Sequence, residues 1–153
     1  MALKIGTKAP KFTLPSTSGT SFDLSKDWAG KPGVIYFYPK DFTGGCTKEA
    51  CDFRDQFAEF RNLELEVIGI SLDDIPTHIR FKAANRLPFE LLADVDGVVA
   101  KKYDAKVPFI NMTKRITYFL DSEHIIRAVY DDFFAGDKHV QEILKQLKVK
   151  KAA

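Results

Sequence analysis

The segment Tyr36-Phe37-Tyr38-Pro39-Lys40-Asp41-Phe42-Thr43-Gly44-Gly45-Cys46-Thr47-Lys48-Glu49-Ala50-Cys51 decides how the rest of the chain is read. An apolar run ends at Pro39, small and polar residues make a turn, and a helical pattern opens near Thr43. The two cysteines of the protein lie at the start of that helix, five residues apart. A strand that delivers a thiol to a helix N-terminus places it where backbone N–H groups are unpaired and the helix dipole is positive. Both favour the thiolate, which is the reactive species. The stretch therefore reads as a working site.

Outward from it, Lys31-Pro32-Gly33 leads into Val34–Tyr38, a continuous apolar run of the kind found in strands covered on both faces. From Thr43 to Asn62 the period is helical, with Ala50, Phe53, Phe57 and Phe60 on one stripe. Leu65–Ser71 reads as a second strand, so residues 34–71 form a strand–helix–strand unit with parallel strands. Ile75–Arg86 reads as a helix with Pro76 in its first turn, where proline is tolerated. Leu91–Leu92 is a short apolar segment, and Gly97–Tyr103 a short helix. Arg115–Leu120 and Ile125–Tyr130 make a hairpin around Asp121-Ser122-Glu123-His124. Asp137 is expected to cap a closing helix that turns Val140, Ile143, Leu144 and Leu147 inward. Upstream, Phe12–Leu14 and Ser21–Leu24 read as a hairpin across Pro15–Gly19. The order is that of a thioredoxin-like α/β fold, expected as one domain over residues 1–153. The N-terminal β-hairpin and the 91–103 insertion are additions to it.

Composition narrows the function classes. Net charge is +2, from 23 basic and 21 acidic residues that are interspersed along 153 positions. That balance argues against nucleic acid or an anionic membrane as partner. Lys145, Lys148, Lys150 and Lys151 read as a solvated helix end. Neither an export signal at Met1–Pro10 nor a membrane span of ~20 apolar residues is visible. Two cysteines are too few for a disulfide scaffold, so the expected location is the reducing cytoplasm. His78, His124 and His139 show no metal spacing with the cysteines and are expected at the surface. Asp73-Asp74 and Asp131-Asp132 read as turn and cap residues. No metal or other cofactor is expected.

Helical geometry separates the two cysteines. Cys46 is four and seven residues before Ala50 and Phe53 and shares their buried stripe. Cys51 lies about 140° further round, toward Thr47, Lys48 and Asp55. In an intact helix their Cα atoms are ~8.7 Å apart, by the ~1.5 Å rise and ~2.3 Å radius. A disulfide needs roughly 4.4–6.8 Å. The pair cannot close unless the first turns unwind, which Gly44 and Gly45 make easier. On the residues alone, three readings compete. The first is a thiol peroxidase. The second is a thioredoxin-type disulfide reductase, whose chemistry favours two intervening residues where this chain has four. The third is a redox or zinc-binding module, for which the ligands are too few.

The string Phe37-Tyr38-Pro39-Lys40-Asp41 … Thr43 … Cys46-Thr47-Lys48-Glu49-Ala50-Cys51-Asp52-Phe53-Arg54 closely resembles the active-site segment of peroxiredoxins, in the bacterioferritin-comigratory-protein (PrxQ) subfamily. Pro39, Thr43 and Cys46 reproduce the family's Pro-x-x-x-Thr-x-x-Cys pattern. Lys8-Ala9-Pro10-Lys11-Phe12 resembles its N-terminal segment, and Arg115-Ile116-Thr117-Tyr118-Phe119-Leu120-Asp121 the strand bearing its active-site arginine. Gly45, where the family usually carries a proline before the cysteine, and Phe42, where an acidic residue is common, are departures.

The resemblance implies a set of roles. Cys46 thiolate attacks a peroxide oxygen and becomes a sulfenic acid. Thr43 hydrogen-bonds thiolate and peroxide, and Arg115 lowers the thiol pKa and stabilises the leaving oxygen. Pro39 shapes and shields the pocket, and Glu49 is placed to orient Arg115. Cys51 resolves the sulfenic acid as an intramolecular disulfide, which a thioredoxin-like dithiol reduces. The substrates implied are hydrogen peroxide and organic hydroperoxides, and the assembly a monomer or weak homodimer.

Overall fold

The computed structural model describes residues 2–133 and 136–152. In chain order the elements are β1 (Thr13–Pro15), β2 (Ser21–Asp23), α1 (Leu24–Asp27), β3 (Gly33–Phe37), α2 (Gly44–Asp55), α3 (Phe57–Asn62) and β4 (Glu66–Ser71). They continue with α4 (Ile75–Asn85), β5 (Glu90–Ala93), α5 (Val98–Lys102), β6 (Ile116–Leu120), β7 (Ile126–Asp131) and α6 (Gly136–Ala152). The main sheet has the order β5-β4-β3-β6-β7, and β1 and β2 form a separate antiparallel pair.

β3 sits at the centre because all five of its residues are apolar or glycine and can be buried on both faces. It pairs in parallel with β4 and antiparallel with β6. Alternate residues feed opposite layers. Val34, Tyr36 and Tyr38 pack with Cys46, Ala50 and Phe53 of α2, Phe81 of α4, and Val140 and Ile143 of α6. Ile35 and Phe37 pack instead with Phe12, Leu14, Trp28 and Tyr103, under the small hairpin and α5. Tyr36 lies opposite Gly69 on β4, and a Cβ there would come within 2.7 Å of the tyrosine ring. The glycine leaves room for Tyr36 to stack on Phe53 at 4.4 Å.

Three features depart from the sequence expectation. The helix expected over 43–62 is two helices, offset at Gln56, and Phe60 of the second stays buried 5.7 Å from the Phe53 ring. Leu91–Leu92 belongs to a full parallel strand, β5, at the sheet edge. A four-residue helix, α1, follows the first hairpin, because the Asp23 carboxylate accepts from the Ser25 and Lys26 amides and caps it. The side chains of Asp137, Lys148, Lys150 and Lys151 lie outside the described residues. No helix among the described residues is long and apolar enough to cross a membrane.

Candidate active site

The loop leaving β3 delivers Cys46 to the first turn of α2, where the thiol is 1% exposed. The partner of β3 supplies the charge. Phe37 pairs with Ile116, so the residue before Ile116 lies beside the C-terminal end of β3, where the cysteine loop begins. The Thr113 hydroxyl, donating to the Tyr38 carbonyl, holds that approach in place. Arg115 thus meets a cysteine 69 positions away in sequence, its Nη2 donating to Cys46 Sγ at 3.4 Å.

The rest of the guanidinium is committed as well. Nη1 donates to Glu49 Oε1 at 2.6 Å and Nε to the Phe133 carbonyl at 2.9 Å. With the fork held on three sides, the thiol meets a fixed cation. Burial works against the charge of Arg115, but Glu49 and Cys46 outweigh it and raise the guanidinium pKa above its ordinary value. Gly45 makes room for this contact, since a Cβ there would lie 3.2 Å from Arg115 Nη2, whereas one at Gly44 would meet nothing within 4 Å.

The structure brings Cys46, Arg115 and Glu49 into direct contact. Thr43 stands apart from them in this state. It occupies the N-cap position of α2 but makes no side-chain cap, and its exposed hydroxyl donates to the Lys40 carbonyl at 2.8 Å. Pro39 is half-buried at the start of the loop. Phe42 has a φ of 63°, a left-handed conformation costly for a bulky residue, and its ring packs edge-on against Phe81 at 5.2 Å. Cys51 is partly exposed on the α4 side, with its thiol 3.6 Å from Asn85 Oδ1.

Two of the three histidines expected at the surface are in fact fully buried, His78 and His139, while His124 is half-buried. Burial is tolerated because both nitrogens of each buried ring are partnered. His139 Nε2 faces the Asp132 carbonyl at 2.8 Å, so it must carry the proton, and Nδ1 accepts from the Thr117 hydroxyl at 2.8 Å. Burial holds His139 down to about 4, keeping the ring neutral. Spacing carries the missed signal: His139 is one residue before Val140 and four before Ile143, on the apolar stripe of α6.

Glu49 Oε2 is buried with no hydrogen-bond partner among the described residues, and lies 3.6 Å from His139 Nδ1. Burial pushes this carboxyl from its ordinary 4.5 up to about 8, against the pull of Arg115. Folding therefore raises its proton affinity. Between about 4.5 and about 8 the unfolded chain binds fewer protons than the folded one, so stability from this group falls as pH rises through that window. Glu49→Gln removes the titration. The melting temperature of the variant, relative to the parent, should climb from pH 5 to pH 8; a constant difference would mean that Glu49 is ionised throughout.

The cysteine loop is tied down from a second side. Asp41 accepts from the Tyr38 hydroxyl at 2.6 Å, lies 2.6 Å from His78 Nδ1, and donates its amide to Asp73 Oδ2 at 2.9 Å. His78 Nε2 donates to the Leu92 carbonyl at 3.0 Å, so a second proton must lie between Nδ1 and Asp41. The ligand atoms of Asp41, Asp73 and His78 lie within 4.8 Å of one another, a spacing that could suit a cation, but each is already hydrogen-bonded. Asp73 is thus more than the turn residue expected, while Asp74 caps α4 as expected. His78→Leu leaves buried Asp41 Oδ2 without its ring partner, while the Tyr38 hydroxyl still serves Oδ1, and should destabilise the protein by about 1–3 kcal/mol in urea titrations. An unchanged midpoint would show that the loop does not depend on this tie.

With this geometry in hand, comparison with known proteins is direct. Residues 5–129 match the AhpC/TSA family. The chain is 45% identical over 146 residues to the chloroplastic peroxiredoxin Q of Suaeda salsa, covering 94% of this chain and 67% of that one. It is 40% identical over 153 residues to a peroxiredoxin bcp of Coxiella burnetii, covering 96% of this chain and 100% of that one. It spans about two thirds of the plant relatives' length, 66% for the rice protein. Among solved structures, the peroxidoxin BcpB of Mycobacterium tuberculosis superimposes with a TM-score of 0.89 at 33% identity, covering 96% of this chain and 97% of that one. The Xanthomonas campestris bacterioferritin comigratory protein gives 0.83 at 28%, covering 91% of each chain. The chain therefore belongs to the AhpC/TSA family and, within it, to the peroxiredoxin Q and bacterioferritin comigratory protein group.

Proposed function

We propose that the protein is a thiol peroxidase that reduces hydrogen peroxide and organic hydroperoxides. The observation that carries this reading is the Arg115 Nη2 contact at 3.4 Å on a buried cysteine sulfur in the first turn of a helix. A guanidinium fixed there is aimed at the reacting sulfur and faces the oxygen that takes up charge as the O–O bond breaks. The X. campestris relative, whose structures concern its alkyl peroxide reduction activity, supports the organic substrate class.

In the first step the Cys46 thiolate attacks the terminal peroxide oxygen. An S–O bond forms, the O–O bond breaks, and the leaving alkoxide or hydroxide takes a proton. Thr43, one turn from Cys46, turns its hydroxyl from Lys40 toward the peroxide when substrate binds. In the second step the Cys51 thiol condenses with the sulfenic acid, forming the disulfide and releasing water. A thioredoxin-like dithiol then restores both thiols and leaves as its own disulfide. Recycling by a dithiol suits a reducing compartment such as the cytoplasm, and the family resemblance suits a monomer or weak homodimer.

Stopped-flow oxidation of fully reduced protein with one equivalent of hydrogen peroxide, with intact mass on the quenched product, tests the proposal. Rapid loss of two hydrogens supports it. Oxidation no faster than that of a free thiol overturns it. Cys51→Ser should still consume one equivalent at the parental rate but stop at a product heavier by one oxygen. Loss of the first oxidation in that variant would assign Cys51 a part in peroxide attack.

A further inference from the structure

We propose that Asn85 is a positioning residue for the second cysteine: it holds the Cys51 thiol on α4 in the reduced protein and so sets how readily α2 opens for the disulfide to close. Two side chains of α2 reach α4 at this residue. Cys51 Sγ donates to Asn85 Oδ1 at 3.6 Å, a weak bond of the kind a thiol makes, and Arg54 Nη1 donates to the Asn85 carbonyl at 2.7 Å. Cys51 and Arg54 are three residues apart and share one face of α2. The Asn85 amide is not free to turn. Its Nδ2 donates to the Phe81 carbonyl, one turn earlier, at 3.0 Å, which leaves Oδ1 facing the thiol.

α4 can serve as an anchor because its own first turn and inner face are secured. Asp74 caps it by accepting from the Thr77 amide at 3.0 Å, and Pro76 is set in that turn. Its His78 ring lies 2.6 Å from Asp41, in the loop before Cys46, and its Phe81 ring meets Phe42 edge-on at 5.2 Å. His78, Phe81 and Asn85 are spaced by three and four and line one stripe of the helix. That stripe grips the cysteine segment ahead of Cys46 and again at Cys51. α2 has less support of its own. No side chain caps it at Thr43, and its first two residues are Gly44 and Gly45. With so weak an N-terminal end, the bond at Cys51 bears directly on whether the turns between stay wound. The thiol must leave Oδ1 before it can reach Cys46.

The kinetic consequence rests on the peroxidase cycle proposed above, but the hold on Cys51 is read in reduced protein without peroxide. Hydrogen exchange of the amides from Thr47 to Cys51 reports opening of the first turns of α2. Asn85→Leu stays close in volume, keeps the main-chain acceptor of Arg54 and removes Oδ1. It should speed exchange there by about two- to fivefold, the equilibrium effect of one weak hydrogen bond. In a Cys51→Ala background the same substitution should change nothing, because the thiol it would release is absent. A merely structural asparagine would give the same acceleration with and without the thiol, which overturns the inference, as does no acceleration in either. Should Asn85→Leu not fold, Asn85→Ala carries the same pair of expectations. A second arm adds one equivalent of hydrogen peroxide by stopped flow. Asn85→Leu should leave the first oxidation at the parental rate and speed disulfide closure by the factor seen in exchange. If exchange responds and closure does not, the inference falls and the peroxidase reading stands. If no protein, parent included, forms the disulfide, the proposed cycle is wrong and the inference falls with it.

Discussion

Cys46→Ser is expected to abolish peroxide turnover while leaving the fold intact. Serine matches cysteine closely in size, and a hydroxyl can still accept from Arg115 Nη2, so the buried position keeps a partner. What disappears is the nucleophile, because a hydroxyl is not ionised by a guanidinium at neutral pH as a thiol can be. Cys51 does not substitute for it. It lies on the α4 side of the helix against Asn85, away from the arginine. The check is peroxide consumption under a dithiol reductant, alongside circular dichroism to confirm the folded state. Turnover at the parental rate would remove Cys46 from the reaction.

The second large effect is expected from Arg115. Arg115→Ala should lower kcat/KM for peroxide by about 10²–10³, the usual cost of removing one preorganised charge-stabilising donor. Two consequences add here. The thiol loses its cation, and the Glu49 carboxyl, 0% exposed, loses its only hydrogen-bond donor among the described residues. The variant should therefore also be less stable, by a similar margin at pH 5 and pH 7, where burial already keeps Glu49 protonated, and by a growing margin as pH rises past about 8. Arg115→Lys is expected to recover little. An ammonium is a single point charge and cannot reach Cys46, Glu49 and the Phe133 carbonyl at once, as the guanidinium fork does. Stopped-flow oxidation rates for the two variants would decide the matter. A lysine variant near parental activity would mean that charge alone, and not its orientation, sets the rate.

The disulfide step of the proposed cycle makes a mechanical demand on α2. The helix runs from Gly44 to Asp55 through both cysteines, which are free thiols. Closing them requires its first turns to unwind and Cys51 to leave Asn85. The neighbours of that segment are held independently. Asp41 is tied to Tyr38, His78 and Asp73, and Arg54 donates to the Asn85 carbonyl at 2.7 Å. The unwinding is thereby confined between two fixed ends.

Much of this was legible in the chain because the signals are contiguous. The apolar run 34–38, the turn after it and the stripe of Ala50 and Phe53 lie within one short segment. They suffice for the strand, the helix and the placement of Cys46 on the buried side. The same local logic yields β4, α4, the β6–β7 hairpin and the inward face of α6. Assigning Arg115 and Glu49 to the thiol drew on family resemblance, since nothing near Arg115 in sequence points to a cysteine. Only the antiparallel register of β6 on β3 puts them together.

Tertiary structure alone decided the rest. His78 and His139 read as surface residues because a histidine's burial depends on partners from elsewhere in the chain, here Asp41 and the Leu92 carbonyl, and Thr117 and the Asp132 carbonyl. Thr43 matches the family pattern, yet its hydroxyl turns to Lys40 in the reduced protein. A sequence pattern names which groups a segment can offer. Which of them are spent on the protein itself depends on distances between strands and helices that no local window contains.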